Sequence, residues 1–282
     1  MYEHFFQGRY FKCQSENHSC AFIPAVHREG GIFSASLQII TNDKTWNIPM
    51  EYQRFLPSAN GAEALMDKSY FGTKGIRLSV NTRKVYARGR LYFTGLSPLN
   101  YDIMGPFKFL PLMECRHSVI SMRHAVNGKI TINGKNYIFK NDPGYIEADR
   151  GTSFPRRYAW TQCFFPGGSI MISVADVPLG PVTITGVIAV IQSGKLEKRI
   201  ATYFGAKAVK ISDGEIVIRQ GDTTLTARLL EKNAHGLHAP VKGKMSRIIK
   251  ESISTKVFYR CEKAGKTILQ FTSPKASFEY EY

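Results

Sequence analysis

The sequence predicts an all-β chain made of two successive β-barrels or sandwiches. Three observations lead there: Asn-Gly and Asp-Gly turns set between apolar runs, many short strands parted by glycine, and a motif that recurs half a chain later.

Short β-type runs occur at 21–26, 35–40, 76–80 and 85–93. Ala62-Glu63-Ala64-Leu65-Met66 is the first helix candidate. Lys129-Ile130-Thr131-Ile132, then Asn133-Gly134, then Lys135 to Phe139 reads as a hairpin, because Asn-Gly supplies the positive φ angles of a two-residue type I′ turn. Asp213-Gly214 does the same between Ala208–Ile211 and Glu215–Arg219. Val182 to Ile191 alternates Thr183 and Thr185 against Ile184, Ile188 and Val190, the period of a half-buried strand. Met245, Ile248 and Ile249 have helical spacing in a run too short to decide, and a last β-type run lies at 268–272. Few short helices are therefore expected.

Arg9-Tyr10 followed by Gln14 recurs as Arg157-Tyr158 followed by Gln162, each before a serine-led apolar run. A duplicated barrel follows from the order and spacing. The turn-rich Asn141-Asp142-Pro143-Gly144 marks the expected junction, giving domains 1–143 and 144–282.

With 282 residues, 43% of them hydrophobic, the chain can bury a core without disulfides. Cys13, Cys20, Cys115, Cys163 and Cys261 are odd in number and form no CxxC pair, so reduced thiols and a cytoplasmic location are expected. No signal-peptide pattern opens the sequence, and the most apolar stretch falls short of the ~20 residues of a membrane helix. The net charge of +16 favours anionic partners. Basic residues gather at Lys74, Arg77, Arg83, Lys84, Arg88 and Arg90 and in the last forty positions, without an RNP, zinc-finger or helix-turn-helix pattern. Walker, GxGxxG, GxSxG and HExxH motifs are missing too, which sets aside nucleotide-dependent and common hydrolase chemistry.

The segment Gly144–Phe165 carries Glu147, Gly151, Ser153, Phe154, Pro155, Tyr158, Trp160 and Gln162. It resembles the signature of the tocopherol cyclase family: an acidic residue, a Gly-x-Ser-Phe-Pro run, then an aromatic strand ending near Gln. Phe6 to Lys12 is similar to the family's opening motif, with Arg9 in place of Trp. Ala239-Pro240, Gly243 and Met245 resemble its C-terminal element. The resemblance implies two lipocalin-like (calycin-type) barrels packed against each other. It also implies relatives that close a chromanol ring by protonating an alkene and capturing the cation with a phenol oxygen. Arg150 stands where plant cyclases carry Trp.

Glu147 and Asp149 are two apart, so a strand turns both to one side, about 7 Å apart by strand rise. Two carboxylates in one dry space resist double ionisation, leaving a proton donor near neutrality. Salt bridges to Arg150, Arg156 and Arg157 are the structural alternative. His117 is a proton-transfer candidate or a hydrogen-bonded core histidine. His124 faces the other side of a continuous strand, which argues against a shared metal, and His235 with His238 in an apparent turn lack an evident third ligand. Asp176 reads as an acid at a pocket mouth or a turn aspartate at the end of its strand. Tyr158 and Trp160 share a strand face suited to a flat or prenylated ligand, or to core packing.

The expected function is a tocopherol cyclase-like protein that encloses an apolar or amphiphilic small molecule and performs acid–base cyclisation, isomerisation or hydration of an alkene. Glu147, Asp149 and His117 are the catalytic candidates. Tyr158, Trp160, Gln162, Arg150, Ser153 and Asp176 are the substrate-binding ones. No cofactor, metal or specific nucleic acid is expected, while an anionic membrane is the expected peripheral partner. The alternatives are a non-catalytic carrier of a hydrophobic ligand and a basic protein that binds anionic polymers.

Overall fold

The computed structural model describes residues 3–52, 55–57, 63–110, 113–179, 181–231 and 235–282. Nearly all regular structure is antiparallel strand. The first sheet has 11 strands: β1 (Phe5–Gln14), β2 (Ser19–Glu29), β3 (Ile32–Thr41), β4 (Thr45–Met50), β5 (Phe55–Pro57), β6 (Ala64–Met66), β7 (Ser69–Gly72), β8 (Gly75–Asn81), β9 (Tyr86–Thr94), β10 (Cys115–Ile132) and β11 (Lys135–Gly151). Its order is β4-β3-β2-β1-β11-β10-β9-β8-β7-β6-β5.

The second sheet has 10 strands: β12 (Tyr158–Phe165), β13 (Gly168–Leu179), β14 (Val182–Ser193), β15 (Leu196–Ala201), β16 (Lys207–Ser212), β17 (Glu215–Gln220), β18 (Thr223–Leu229), β19 (His235–Val241), β20 (Lys244–Lys263) and β21 (Lys266–Tyr280). Its order is β15-β14-β13-β12-β21-β20-β18-β17-β16, with β19 beside β20. Each sheet thus pairs its first strand with its last, and the next three strands follow outward in chain order.

The turns obey their residues. Asn133 and Gly134 have φ of 47° and 84°, and Asp213 and Gly214 have 53° and 75°, so both expected hairpins form. Two short 3-10 turns are Gly105–Phe109 and Thr202–Phe204. The helix candidate at 62–66 is corrected: Ala64–Met66 is strand β6, paired with Phe71, Tyr70 and Ser69, and Ala62 lies outside the described residues. Ladder pairing outweighs the helix propensity of so short a run. Met245, Ile248 and Ile249 likewise belong to strand β20. His235–His238 lie in β19 rather than in a turn.

Two compact units emerge. One contains residues 1–98, 119–152 and 240–246, the other 99–118, 153–239 and 247–282. The position 143/144 falls inside β11, which runs on to Gly151. In the first unit the sheet curls on itself: Phe11 of β1 meets Phe71 of β7 at 6.0 Å and Phe93 of β9 at 6.4 Å, over a core with Phe22, Leu37, Ile39 and Ile146. In the second, Ile172, Val174 and Ala189 share a core with Ile216, Ile218 and Tyr259. All five cysteines are thiols, and Cys13, Cys20, Cys163 and Cys261 are buried.

Candidate active site

Directly opposed residues of an antiparallel pair share a face. Register therefore sorts the side chains of β1 and β11. Lys12 opposes Tyr145, Tyr10 opposes Glu147, and Gly8 opposes Asp149. Phe11 opposes Ile146 on the other face, where the core lies. The Glu147 face is thus the side of the sheet away from its own core. Such a face ordinarily meets water, yet Lys12 and Tyr145 are fully buried, and Glu147 is 6% exposed. His27, opposite Phe6, extends the same face and shares a hydrogen bond with the Ser36 hydroxyl through Nε2, at 3.0 Å.

The expected carboxylate pair is present: Glu147 and Asp149 sit on one face of β11, with carboxylate oxygens within 4.8 Å of each other. Tyr145 completes it, its hydroxyl donating to Glu147 Oε2 at 2.5 Å. Burial first, and then the charge of Glu147, push the Tyr145 phenol well above its ordinary range. It therefore stays a donor. The other face of the same strands carries Arg9, 1% exposed and pushed down to about 10 by burial.

The second unit repeats the arrangement with other residues. Ala159, Thr161 and Cys163 of β12 turn to the core side, and the Thr161 and Tyr259 hydroxyls are 2.5 Å apart. Tyr158, Trp160 and Gln162 alternate with them, with Trp160 opposite Glu279 and Gln162 opposite Ser277. All three are buried. The Tyr158 hydroxyl donates to Glu279 Oε2 at 2.7 Å, and burial with the Glu279 charge holds this phenol well above its usual range. Glu251 of β20 opposes Glu279 and is also buried. A buried tyrosine–glutamate hydrogen bond thus stands beside the joint of first and last strands in both sheets.

Tyr145, Glu251 and Glu279 are site residues that the sequence reading misses. Tyr145 has a signal, since it lies two before Glu147 and so shares its face. Glu251 and Glu279 have none, because only pairing across the sheet brings them to Tyr158 and Trp160.

Arg150 is exposed and alternates to the face opposite Glu147. Arg157 meets Asp176 at 3.6 Å. Asp176 lies within β13 opposite Thr185, whose hydroxyl donates to it at 2.9 Å, and the Tyr282 hydroxyl also donates to it at 3.3 Å. That places Asp176 within its strand rather than at its end. Ser153 is half-buried in the connection before β12, its hydroxyl donating to the Phe154 carbonyl at 3.2 Å. His117 belongs to the second unit, near the start of β10, and is 9% exposed. The rings of Phe93 and His124 lie 4.4 Å apart at a tilt of 49°, and burial pushes His124 down to about 4.

Two curled antiparallel sheets of this topology define an all-β protein of the lipocalin-like class. The chain is similar over 99% of its length to CghA bound to Sch210972, with 89% of that chain covered, a TM-score of 0.64 and 9% identity. It is similar over 98% to kievitone hydratase from Nectria haematococca, with 88% of that chain covered, TM-score 0.55 and 9% identity. An AttH-type protein from Nitrosomonas europaea matches the whole chain, with 93% of its own length covered, TM-score 0.52 and 9% identity. Residues 82–178 match the tocopherol cyclase-like family model. The chloroplastic tocopherol cyclase of Zea mays is 35% identical over 100 residues, which is 35% of this chain and only 20% of the maize protein. Together the sequence matches support a tocopherol cyclase-like family for this chain. The matched segment contains Glu147, Asp149 and the whole β12 motif.

Proposed function

We propose that the protein is an acid–base enzyme acting on an alkene-bearing small molecule of apolar or prenylated type. The reaction is cyclisation, isomerisation or hydration. The observation that carries the reading is the buried Tyr145–Glu147 hydrogen bond on a face shared with Asp149.

Protonated Glu147 delivers its proton to one alkene carbon, and the other becomes cationic. In cyclisation a phenol oxygen of the substrate captures the cation; in hydration, water does. The attacking oxygen, or in isomerisation a carbon next to the cation, then loses its proton to a carboxylate of the pair, which closes the balance without an oxidant or reductant. Tyr145 donates to Glu147 throughout and stabilises the carboxylate as it forms. Asp149 takes the returning proton. Tyr158, Trp160 and Gln162 of the second unit are separate ligand-contacting candidates, whose aromatic rings are of the kind that favour a cation. His117 is a further proton-transfer candidate. The family match and the name of one structural relative, a hydratase, support this class of reaction.

The test is turnover of prenylated hydroquinones in deuterated water, read by mass spectrometry. The product gains one carbon-bound deuterium. Glu147→Gln lowers turnover by roughly 10²–10⁴-fold. Full activity in both Glu147→Gln and Asp149→Asn removes the proposal. An apolar molecule recovered unchanged from a protein that turns nothing over favours the carrier reading instead.

A further inference from the structure

The strands β8, β9 and β10 turn a strongly basic face to solvent. On β9 the alternation is regular: Tyr86, Arg88, Arg90 and Tyr92 are exposed, while Ala87, Leu91 and Phe93 are buried. Pairing lines the cations up across strands. Arg77 of β8 opposes Arg90, and Arg90 opposes Lys129 of β10. In the adjacent row Ser79 opposes Arg88, and Arg88 opposes Thr131. Like charges directly opposed in a sheet repel and destabilise it. Among the described residues, Arg88, Arg90 and Lys129 take part in no ion pair. The face is also hollowed: a cleft of about 490 Å³ is lined by Lys68, Arg77, Arg88 and Arg90 together with Ser79 and one acidic residue, Asp67.

A sheet folded for its own stability would alternate these charges. This one concentrates them, so a polyanion is the complement that relieves the repulsion. The cations spread in two dimensions over three strands rather than along one groove. They are framed by exposed amphipathic rings, Tyr86 at 47% and Tyr92 at 56% exposure. Ile138, 46% exposed, continues the face on β11, two residues on from Asn136, which accepts a hydrogen bond from Thr131. A broad cationic field rimmed by tyrosines fits a phospholipid headgroup plane, where such rings settle.

The geometry points to the outward face of β8, β9 and β10 as a docking surface for an anionic phospholipid bilayer. The surface is a different stretch of the sheet from the proposed chemistry: Arg88, Arg90 and the tyrosines beside them are exposed, whereas Lys12, Tyr145 and Glu147 are buried.

Vesicle co-sedimentation of the full chain tests it, comparing phosphatidylcholine alone with phosphatidylcholine mixed with phosphatidylglycerol. The expected result is binding to the anionic vesicles only, weakening as salt rises. The triple variant Arg88→Gln, Arg90→Gln, Lys129→Gln, checked for fold by circular dichroism, loses roughly 100-fold in affinity, at about fivefold per cation. Removing two exposed cations of the second unit, Lys195→Gln with Lys266→Gln, leaves binding unchanged. Glu147→Gln also leaves it unchanged, which separates this inference from the catalytic one. Equal binding to both vesicle types, or equal loss in the Lys195/Lys266 variant, overturns the assignment. So does a single-stranded oligonucleotide that binds more tightly than the vesicles and is lost in the triple variant.

Discussion

The Tyr145 hydroxyl reaches Glu147, two residues further along the same strand, and donates to Oε2 at 2.5 Å inside a buried face. Strand periodicity makes the contact possible, and burial makes it costly to lose.

Tyr145→Phe therefore takes away a donor that Glu147 uses in its buried state. The variant is expected to lose about 1–3 kcal/mol of stability. It is also expected to lower turnover less than Glu147→Gln does, because Tyr145 supports the acid without transferring the proton. Urea denaturation and the deuterium assay read the two effects separately. A Phe variant as inactive as Glu147→Gln would make the phenol itself the acid.

Stability should fall on acidification. Burial pushes both His27 and His124 down to about 4 from an ordinary value of 6.5. Between those values the unfolded chain binds protons that the folded chain refuses. The stabilisation is thus complete above about pH 6.5 and is lost progressively down to about pH 4, at most about 3 kcal/mol per histidine. Urea midpoints measured across that range should drop, and should drop less in His27→Gln. A flat profile for the native chain contradicts the burial argument.

Gly144 allows a close approach inside the first unit. A Cβ there would lie 2.3 Å from His124 Nε2 and 2.6 Å from Val126 Cγ2. Gly144→Ala must displace a packed ring and a packed methyl, a cost of about 1–3 kcal/mol. The melting temperature should fall accordingly, and an unchanged value would mean that His124 moves freely.

Arg199 ties down the segment before β10 in the second unit. Its Nε donates to Glu197 at 2.6 Å, its Nη1 and Nη2 donate to the carbonyls of Asp102 and Tyr101, and its guanidinium lies 3.5 Å from the centre of the Tyr101 ring. Tyr203 adds a bond to the Ile103 carbonyl at 2.9 Å. Both side chains of the Arg199–Glu197 pair are 4% exposed. Arg199→Ala leaves a buried carboxylate uncompensated, at about 3–5 kcal/mol. Arg199→Lys should recover little, since an ammonium cannot span three acceptors and stack as well. Proteolysis within 99–110 should accelerate in both variants. Protection equal to that of the native chain would assign the anchoring elsewhere.

Much of the fold is legible in local chemistry. Asn133-Gly134 and Asp213-Gly214 demand positive φ at both turn residues and receive it. The alternation along Val182–Ile191 becomes β14. Where local signals are short they mislead: Ala64–Met66, the end of the alanine-rich stretch, is a strand because its neighbours offer a ladder. Period two also puts Glu147 with Asp149, and Tyr158 with Trp160, on common faces from their spacing alone. Alternation says only that two faces exist. It is symmetric between them, so it cannot tell that the face bearing Lys12, Tyr145 and Glu147 is withdrawn from water.

The sequence by itself determined strand periodicity, turn geometry and the shared side of Glu147 and Asp149, because these depend on neighbours within a few residues. Only the tertiary structure decided that Tyr10 stands opposite Glu147 and Trp160 opposite Glu279, for pairing a sheet's first strand with its last is a contact between distant chain positions. Burial of the polar face is likewise a property of the assembled sheet, since desolvation depends on every atom nearby and not on the order of residues along one strand.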